Sequence, residues 1–204
     1  MAIERLFPTL IYQKNWKGSQ KLIEALIRES YQLKEMDEAG RRWCKKNYPE
    51  GYTSYGSISD LHRRSSNFEK LKKWIDQQVV VYCKSLDLDL HDGKIQMTSC
   101  WVNIMGKHSY HAFHLHPAST ISGTFYLKVP AHSGAIKFED PRLAGFMASP
   151  PRLSKAKKEN QRFVSIGTKS GDLLLFESWL KHEVVVNRSQ QDRLSVSFNY
   201  DWIR

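Results

Sequence analysis

Apolar residues at Leu22, Ile23, Leu26, Ile27 and Tyr31 recur at three- and four-residue intervals, the period of one helix face. The spacing predicts a helix from about Gln20 to Lys34, with Ser19 in the capping position. A second stripe, Phe68, Leu71, Trp74, Ile75, Val79 and Tyr82, predicts a helix capped by Ser66 or Asn67 and running to about Ser85. Between them Asn47 to Ser59 is rich in Gly, Tyr and Ser and reads as a loop. Near residue 95 the pattern shortens. Eight runs rich in β-branched and aromatic residues follow: Gln96–Met105, Tyr110–His116, Ile121–Val129, Gly134–Phe138, Arg162–Ile166, Asp172–Phe176, His182–Asn187 and Arg193–Tyr200. Two helices followed by eight short strands suggest a mostly β, α+β sandwich or barrel with helices on one outer face. No linker divides the chain. It is read as one domain, 1–204, with a helical layer over 1–94 and the β core over 95–204. The stretch Pro141 to Gln161 has no strand pattern, and a loop of that length in a compact domain is usually functional or disordered.

With 41% hydrophobic and 12% aromatic residues the chain has material for a sizeable core. No run of 18 apolar residues exists, so no membrane span is expected. The N-terminus MAIERLFPTLIY shows no secretory pattern. Cys44, Cys83 and Cys100 form no CxxC pair and argue against a disulfide framework; a cytoplasmic location is expected. The net charge of +10 permits contact with nucleic acid or an acidic protein without demonstrating either.

His108, His111, His114 and His116 lie close together. In an extended strand His114 and His116 share a face, with Leu115 opposite, and two imidazoles on one face can meet one metal. Pro117 would end that strand. His182 opens a later strand and can complete a set of three ligands, leaving coordination positions free. Arg193 and Ser195 share a strand face; an Arg beside a hydroxyl is a good receptor for a carboxylate. His108 and His111 read as exposed loop residues. Asn103 and Tyr126, on strands flanking the ligands, are candidate hydrogen-bonding partners of a bound acid, and Asn199 is a weaker one. Trp101 and Trp179 either wall the pocket or are plain core residues, the commoner role of large aromatics near a barrel mouth. Arg142 either meets substrate or pairs with Asp140. The loops Tyr52–Ser59 and Pro141–Gln161 are candidate lids; Arg152, Lys155, Lys157 and Lys158 in the second could approach a phosphate or an acidic peptide, or form a solvated tip.

This arrangement resembles the 2-oxoglutarate/iron(II)-dependent oxygenases, whose signature is His-x-Asp/Glu, a distant His, and an Arg about ten residues beyond it. The phrases LFPTLIY, YTSYGS, HLHPASTISGTFYLKVP, FEDPR, GDLLLFESWLKHEV and RLSVSFNY are similar to a small subfamily of these enzymes frequent in marine phages and bacteria. The resemblance implies a double-stranded β-helix (a cupin-like jelly roll) with the N-terminal helices packed on one sheet. It implies iron(II) on His114, His116 and His182, with 2-oxoglutarate anchored by Arg193 and Ser195. The reaction implied is hydroxylation of an unidentified substrate with O2, releasing succinate and CO2. The wider superfamily has a carboxylate where this chain has His116. Either three histidines hold the metal, which strand alternation favours, or Asp140 or Glu177 completes or supports the set. The substrate class (a small molecule, a protein side chain or a nucleobase) and dimerisation through the helical face stay open. Two other classes compete: a three-histidine cupin-type dioxygenase or metalloprotein that does not use 2-oxoglutarate, and a basic module that binds nucleic acid or protein.

Overall fold

A computed structural model describes residues 2–204. Ten strands and four α-helices are present: β1 (Tyr12–Asn15), α1 (Gln20–Met36), α2 (Glu38–Asn47), β2 (Gly51–Thr53), α3 (Leu61–Arg64), α4 (Ser66–Ser85), β3 (Lys94–Met105), β4 (His111–His114), β5 (Ile121–Lys128), β6 (Ile136–Glu139), β7 (Phe163–Ile166), β8 (Asp172–Glu177), β9 (His182–Val184) and β10 (Arg193–Ile203). Both helices expected from periodicity form. Ser19 stands at the N-cap of α1 but its side chain makes no capping bond. Ser65, and not Ser66 or Asn67 as expected, caps α4, because its hydroxyl accepts from the Asn67 and Phe68 amides. The sequence reading missed α2. It starts because the Asp37 carboxylate accepts the Gly40 amide, and a side-chain acceptor at the N-cap satisfies a donor the helix cannot.

The strands form two antiparallel sheets, a larger one ordered β1-β8-β5-β10-β3-β2 and a smaller one ordered β4-β9-β6-β7. β1 and β2 were also unexpected. β1 extends the larger sheet beyond β8, and β2, inside the stretch read as loop, pairs with β3. Their shortness hid them: three or four residues carry too little pattern to separate a strand from a loop.

Strand alternation gives the larger sheet two faces. Leu194, Val196, Phe198 and Tyr200 of β10 pack outward with Val102 and Ile104 of β3 against Phe68, Leu71, Ile75, Val79 and Tyr82 of α4. Each such buried side chain contributes roughly 1.5–3 kcal/mol of transfer free energy. A charge at Ile75 would break this layer. The other face holds a smaller core of Tyr126, Leu174 and Phe176, which meets Ile136, Phe138 and Leu180 from the smaller sheet side. The candidate site lies in this inner space. All three cysteines are buried free thiols, and no helix of the described residues is long and apolar enough to cross a membrane.

Candidate metal centre

β4 and β9 pair with His114 opposite His182, and an irregularity in register separates His111 from His114. The strand expected to continue to His116 stops at His114. His116 therefore reaches the other two by a different route from the alternation argument. Its amide donates to the Ser178 carbonyl at 3.0 Å, and its ring Nδ1 donates to Asn199 Oδ1 at 2.6 Å. One ligand atom from each of His114, His116 and His182 falls within 4.8 Å of the others. The ring centroids are 4.4 Å apart for His114 and His182, and 5.3 Å from His116 to each.

In all three rings Nδ1 is already engaged. His114 Nδ1 meets the Ala112 carbonyl at 2.7 Å, and His182 Nδ1 meets the Leu180 carbonyl at 2.9 Å. Carbonyl and amide oxygens only accept, so each Nδ1 carries the proton and each Nε2 keeps a free lone pair. Asn199 is itself held, because Ser122 Oγ donates to its Oδ1 at 2.8 Å and lies 2.8 Å from Ser178 Oγ. His182 is 4% exposed and rests on Phe176 and Phe138, with ring centroids at 4.6 and 5.8 Å. Burial first, then His114, holds its pKa down at about 3. Burial also lowers that of His116, against the Asn199 hydrogen bond. Both rings are neutral at pH 7, the form in which an imidazole binds a metal. No Asp or Glu joins the cluster among the described residues. Asp140 instead takes Arg142 Nε at 2.9 Å and Nη2 at 2.8 Å, so the pairing alternative for Arg142 holds.

Behind the histidines runs a polar stripe. Arg193, Ser195, Ser197 and Asn199 alternate onto the inner face of β10, opposite Met105, Asn103, Trp101 and Ser99 of β3. Ser195 also faces Tyr126 of β5, with Thr124 and Ser122 continuing that row. Arg193 is 2% exposed. Its Nη1 touches only Met105 Sδ at 3.3 Å, its Cζ sits 4.9 Å from the Tyr126 ring centroid, and its Nε and Nη2 have no partner. The Tyr126 hydroxyl and Asn103 Oδ1 are likewise buried and unpartnered, while Asn103 Nδ2 donates to Ser197 Oγ at 3.0 Å. Buried polar groups nearly always find partners, so the unmet donors, Nε and Nη2 of Arg193 and the Tyr126 hydroxyl, mark a place shaped for an anion, while Asn103 Oδ1 can only accept.

Trp101 stands where a wall was expected, its ring centroid 5.9 Å from that of His116 and 4.8 Å from that of Tyr55 in the loop after β2. Trp179 is 47% exposed and contributes no such stacking. His111 corrects the reading of an exposed loop residue. It lies on β4, its ring centroid 4.5 Å from Tyr48 and 6.1 Å from His114. Burial, with His114 and Arg193 adding to it, puts its pKa at about 3. The run Tyr110–His116 signalled the strand but not the packing of His111, because Tyr48 comes from a distant segment. Ser122 and Ser178 were also missed; a serine in a strand carries no signal of what it supports.

Residues 99–199 match the model of the family described as "Putative 2OG-Fe(II) oxygenase". No curated protein matches the chain. Among solved structures, the chain is similar to the α-ketoglutarate-dependent epimerase SnoN from nogalamycin biosynthesis, at 13% identity over 95% of this chain and 76% of that one, with a TM-score of 0.68. It is similar to HygX from Streptomyces hygroscopicus, solved with nickel, 2-oxoglutarate and hygromycin B, at 16% identity over 95% and 83% of the two chains, TM-score 0.62. A prolyl-4-hydroxylase from Pseudomonas putida matches at 16% identity over 95% and 92%, TM-score 0.60. At these identities the likeness speaks to the fold, which is the double-stranded β-helix with its two antiparallel sheets left unclosed. Residues 99–199 thus form a domain that matches the 2OG-Fe(II) oxygenase family.

Proposed function

We propose that His114, His116 and His182 hold iron(II) through Nε2, and that Arg193, Ser195, Tyr126 and Asn103 hold 2-oxoglutarate, for hydroxylation of an unidentified substrate with release of succinate and CO2. The observation that carries the reading is the shared tautomer: three Nδ1–H groups spent on Ala112, Asn199 and Leu180 leave three free Nε2 lone pairs on rings whose ligand atoms lie within 4.8 Å of one another. The donor set fits a divalent transition metal, since neutral imidazole suits iron, and three protein ligands leave positions for other groups. The buried, unpartnered Nε and Nη2 of Arg193 fit a carboxylate, which would accept both.

Iron(II) with 2-oxoglutarate supplies the oxygen-activating chemistry when bound. The protein's own part is positional. Leu180 and Ala112 fix two imidazoles through their carbonyls, and Asn199 fixes the third through its amide oxygen. Arg193 would orient the far carboxylate of the co-substrate, with Tyr126 donating its hydroxyl. Trp101 and Phe176 keep water from the ligand rings. Asn199 acts through His116 and not as a direct contact to substrate.

The all-histidine donor set favours a second reading, a three-histidine dioxygenase that does not use 2-oxoglutarate. One titration separates the two. Protein is loaded anaerobically with iron(II), 2-oxoglutarate binding is measured calorimetrically, and succinate is quantified after air is admitted. Succinate that needs both iron(II) and 2-oxoglutarate, and falls in Arg193→Ala, is the expected outcome. Loaded protein with no affinity for 2-oxoglutarate and an Arg193→Ala variant that behaves as the parent would sink the first reading and favour the second.

A further inference from the structure

The loop between β6 and β7 gathers three guanidiniums on one ring. The Cζ atoms of Arg142, Arg152 and Arg162 lie 5.7, 5.6 and 6.0 Å from the centroid of Phe146. No two of them can then be more than about 12 Å apart. Asp140 is the acid bonded into the group, and both its oxygens are taken by Arg142. The nearby acids are spent elsewhere, Glu139 on Lys181 and Glu159 on Arg5. Two positive charges are left unmatched. Arg162 gives Nη2 to the Ser149 carbonyl at 3.0 Å, while its Nε is buried without a partner. Arg152 is exposed and has no hydrogen-bond or ion-pair partner among the described residues.

Sheet register places this group at the mouth of the metal centre. Phe138 lies opposite His182 across β6 and β9. Asp140, two residues further along the same face, bonds through its amide to the Arg162 carbonyl at 2.8 Å. Two residues of rise and two strand spacings put Arg162 roughly 7 Å along the sheet and ~10 Å across it from His182. That is the span of a small organic molecule.

We infer that Arg152 and Arg162, beside the Asp140–Arg142 pair, bind a phosphate group on the substrate, so that the enzyme acts on a phosphorylated small molecule whose other end reaches the histidines. The inference rests on the reading of His114, His116 and His182 as the reaction centre. A phosphate dianion matches two unmatched positive charges, and its oxygens can accept from several guanidiniums at once. A single carboxylate would leave one charge over. The cations are gathered around one ring, Phe146, instead of lining a track, which suits one terminal phosphate and not a nucleic-acid backbone.

The test uses inorganic phosphate as probe, with 2-oxoglutarate saturating so that Arg193 is not available to it. Phosphate binding to the full chain is followed by 31P line broadening, first metal-free and then with substoichiometric Mn(II). Wild type should bind phosphate in both states, with added paramagnetic broadening once Mn(II) is loaded. Arg152→Glu, at an exposed position that leaves folding intact, and Arg162→Gln should each weaken phosphate binding at least tenfold and leave Mn(II) affinity unchanged. Acetate should bind at least tenfold more weakly than phosphate. Equal phosphate affinity in wild type and folded Arg152→Glu overturns the site, and acetate binding as well as phosphate overturns the phosphate assignment. Phosphate binding that depends on Arg152 in a protein that holds no Mn(II) would leave the anion site standing and defeat the metal reading instead.

Discussion

Asn199 Oδ1 receives two hydrogen bonds at once, from His116 Nδ1 at 2.6 Å and from Ser122 Oγ at 2.8 Å. Of the three clustered histidines, His116 is the one whose orientation depends on a side chain. His114 and His182 lean on backbone carbonyls, which mutation cannot remove. Second partners of this kind typically cost 10–100-fold in metal affinity when lost. Asn199→Ala should therefore weaken iron(II) or zinc binding by about one to two orders of magnitude, with the circular dichroism unchanged, and Asn199→Asp should retain most of it because a carboxylate accepts both bonds. A chelator competition titration in which Asn199→Ala binds metal like wild type would show that His116 needs no such support.

Metal binding should be visible as stability. A ligand that binds only the folded state adds about 2.7 kcal/mol at a hundredfold excess over its Kd. Adding nickel(II) should raise the melting temperature of wild type, and the increase should vanish in His114→Ala. His114 is the most open of the three rings, so its truncation leaves the apo protein close to parental stability. An equal shift in both proteins would place the metal elsewhere.

Arg193 poses a contrast of sign. Removing one partner of a buried ion pair usually costs about 3–5 kcal/mol, because a charge is left alone. Arg193 has no acid partner, and two of its nitrogens are already unsatisfied. Its contact with the Tyr126 ring recovers only about 0.5–2 kcal/mol. Arg193→Met should thus change unfolding free energy by no more than about 1 kcal/mol, while 2-oxoglutarate affinity falls at least tenfold. Urea melts without ligand check the first statement and calorimetry the second; a loss of several kcal/mol would mean the guanidinium is structural.

Asp37 ties α2 to the loop whose Tyr55 covers Trp101. Its carboxylate accepts from the Gly40 amide at 2.8 Å, the Tyr52 hydroxyl at 2.7 Å and the Ser57 hydroxyl. Burial alone would raise its pKa, but the bonds from Ser57, Gly40 and Tyr52 outweigh it and hold the group below the usual carboxylate value. A depressed folded pKa stabilises the protein above the unfolded value of about 3.9 and loses that contribution as pH falls through the folded value. Asp37→Asn should cost about 1–3 kcal/mol near pH 7, and the gap to wild type should close below about pH 4. A gap that stays constant between pH 7 and pH 3 in urea melts would rule out the charge as its source.

These residues also show what the linear pattern could carry. Helix stripes such as Phe68 to Tyr82 and the alternation of Arg193 with Ser195 were readable because each repeats within one element. The three clustered histidines could be chosen by spacing, yet His116 lies past the end of β4 and is brought in by Ser178 and Asn199, which no spacing rule encodes. His111 was misread since its neighbour Tyr48 is remote in sequence. The unmet nitrogens of Arg193 belong to the same class: a missing partner is a property of three-dimensional surroundings, and a sequence has none.

The two faces of β10 divide labour along a single strand. From residue 193 to residue 200 every odd position faces the chemistry and every even position faces α4. Inherited changes at 195, 197 or 199 thus act on the proposed metal and anion site without loosening the wall behind it. Changes at 194, 196 or 198 are judged first by whether the chain still folds. This strand lets catalytic novelty and structural integrity vary almost independently in neighbouring codons.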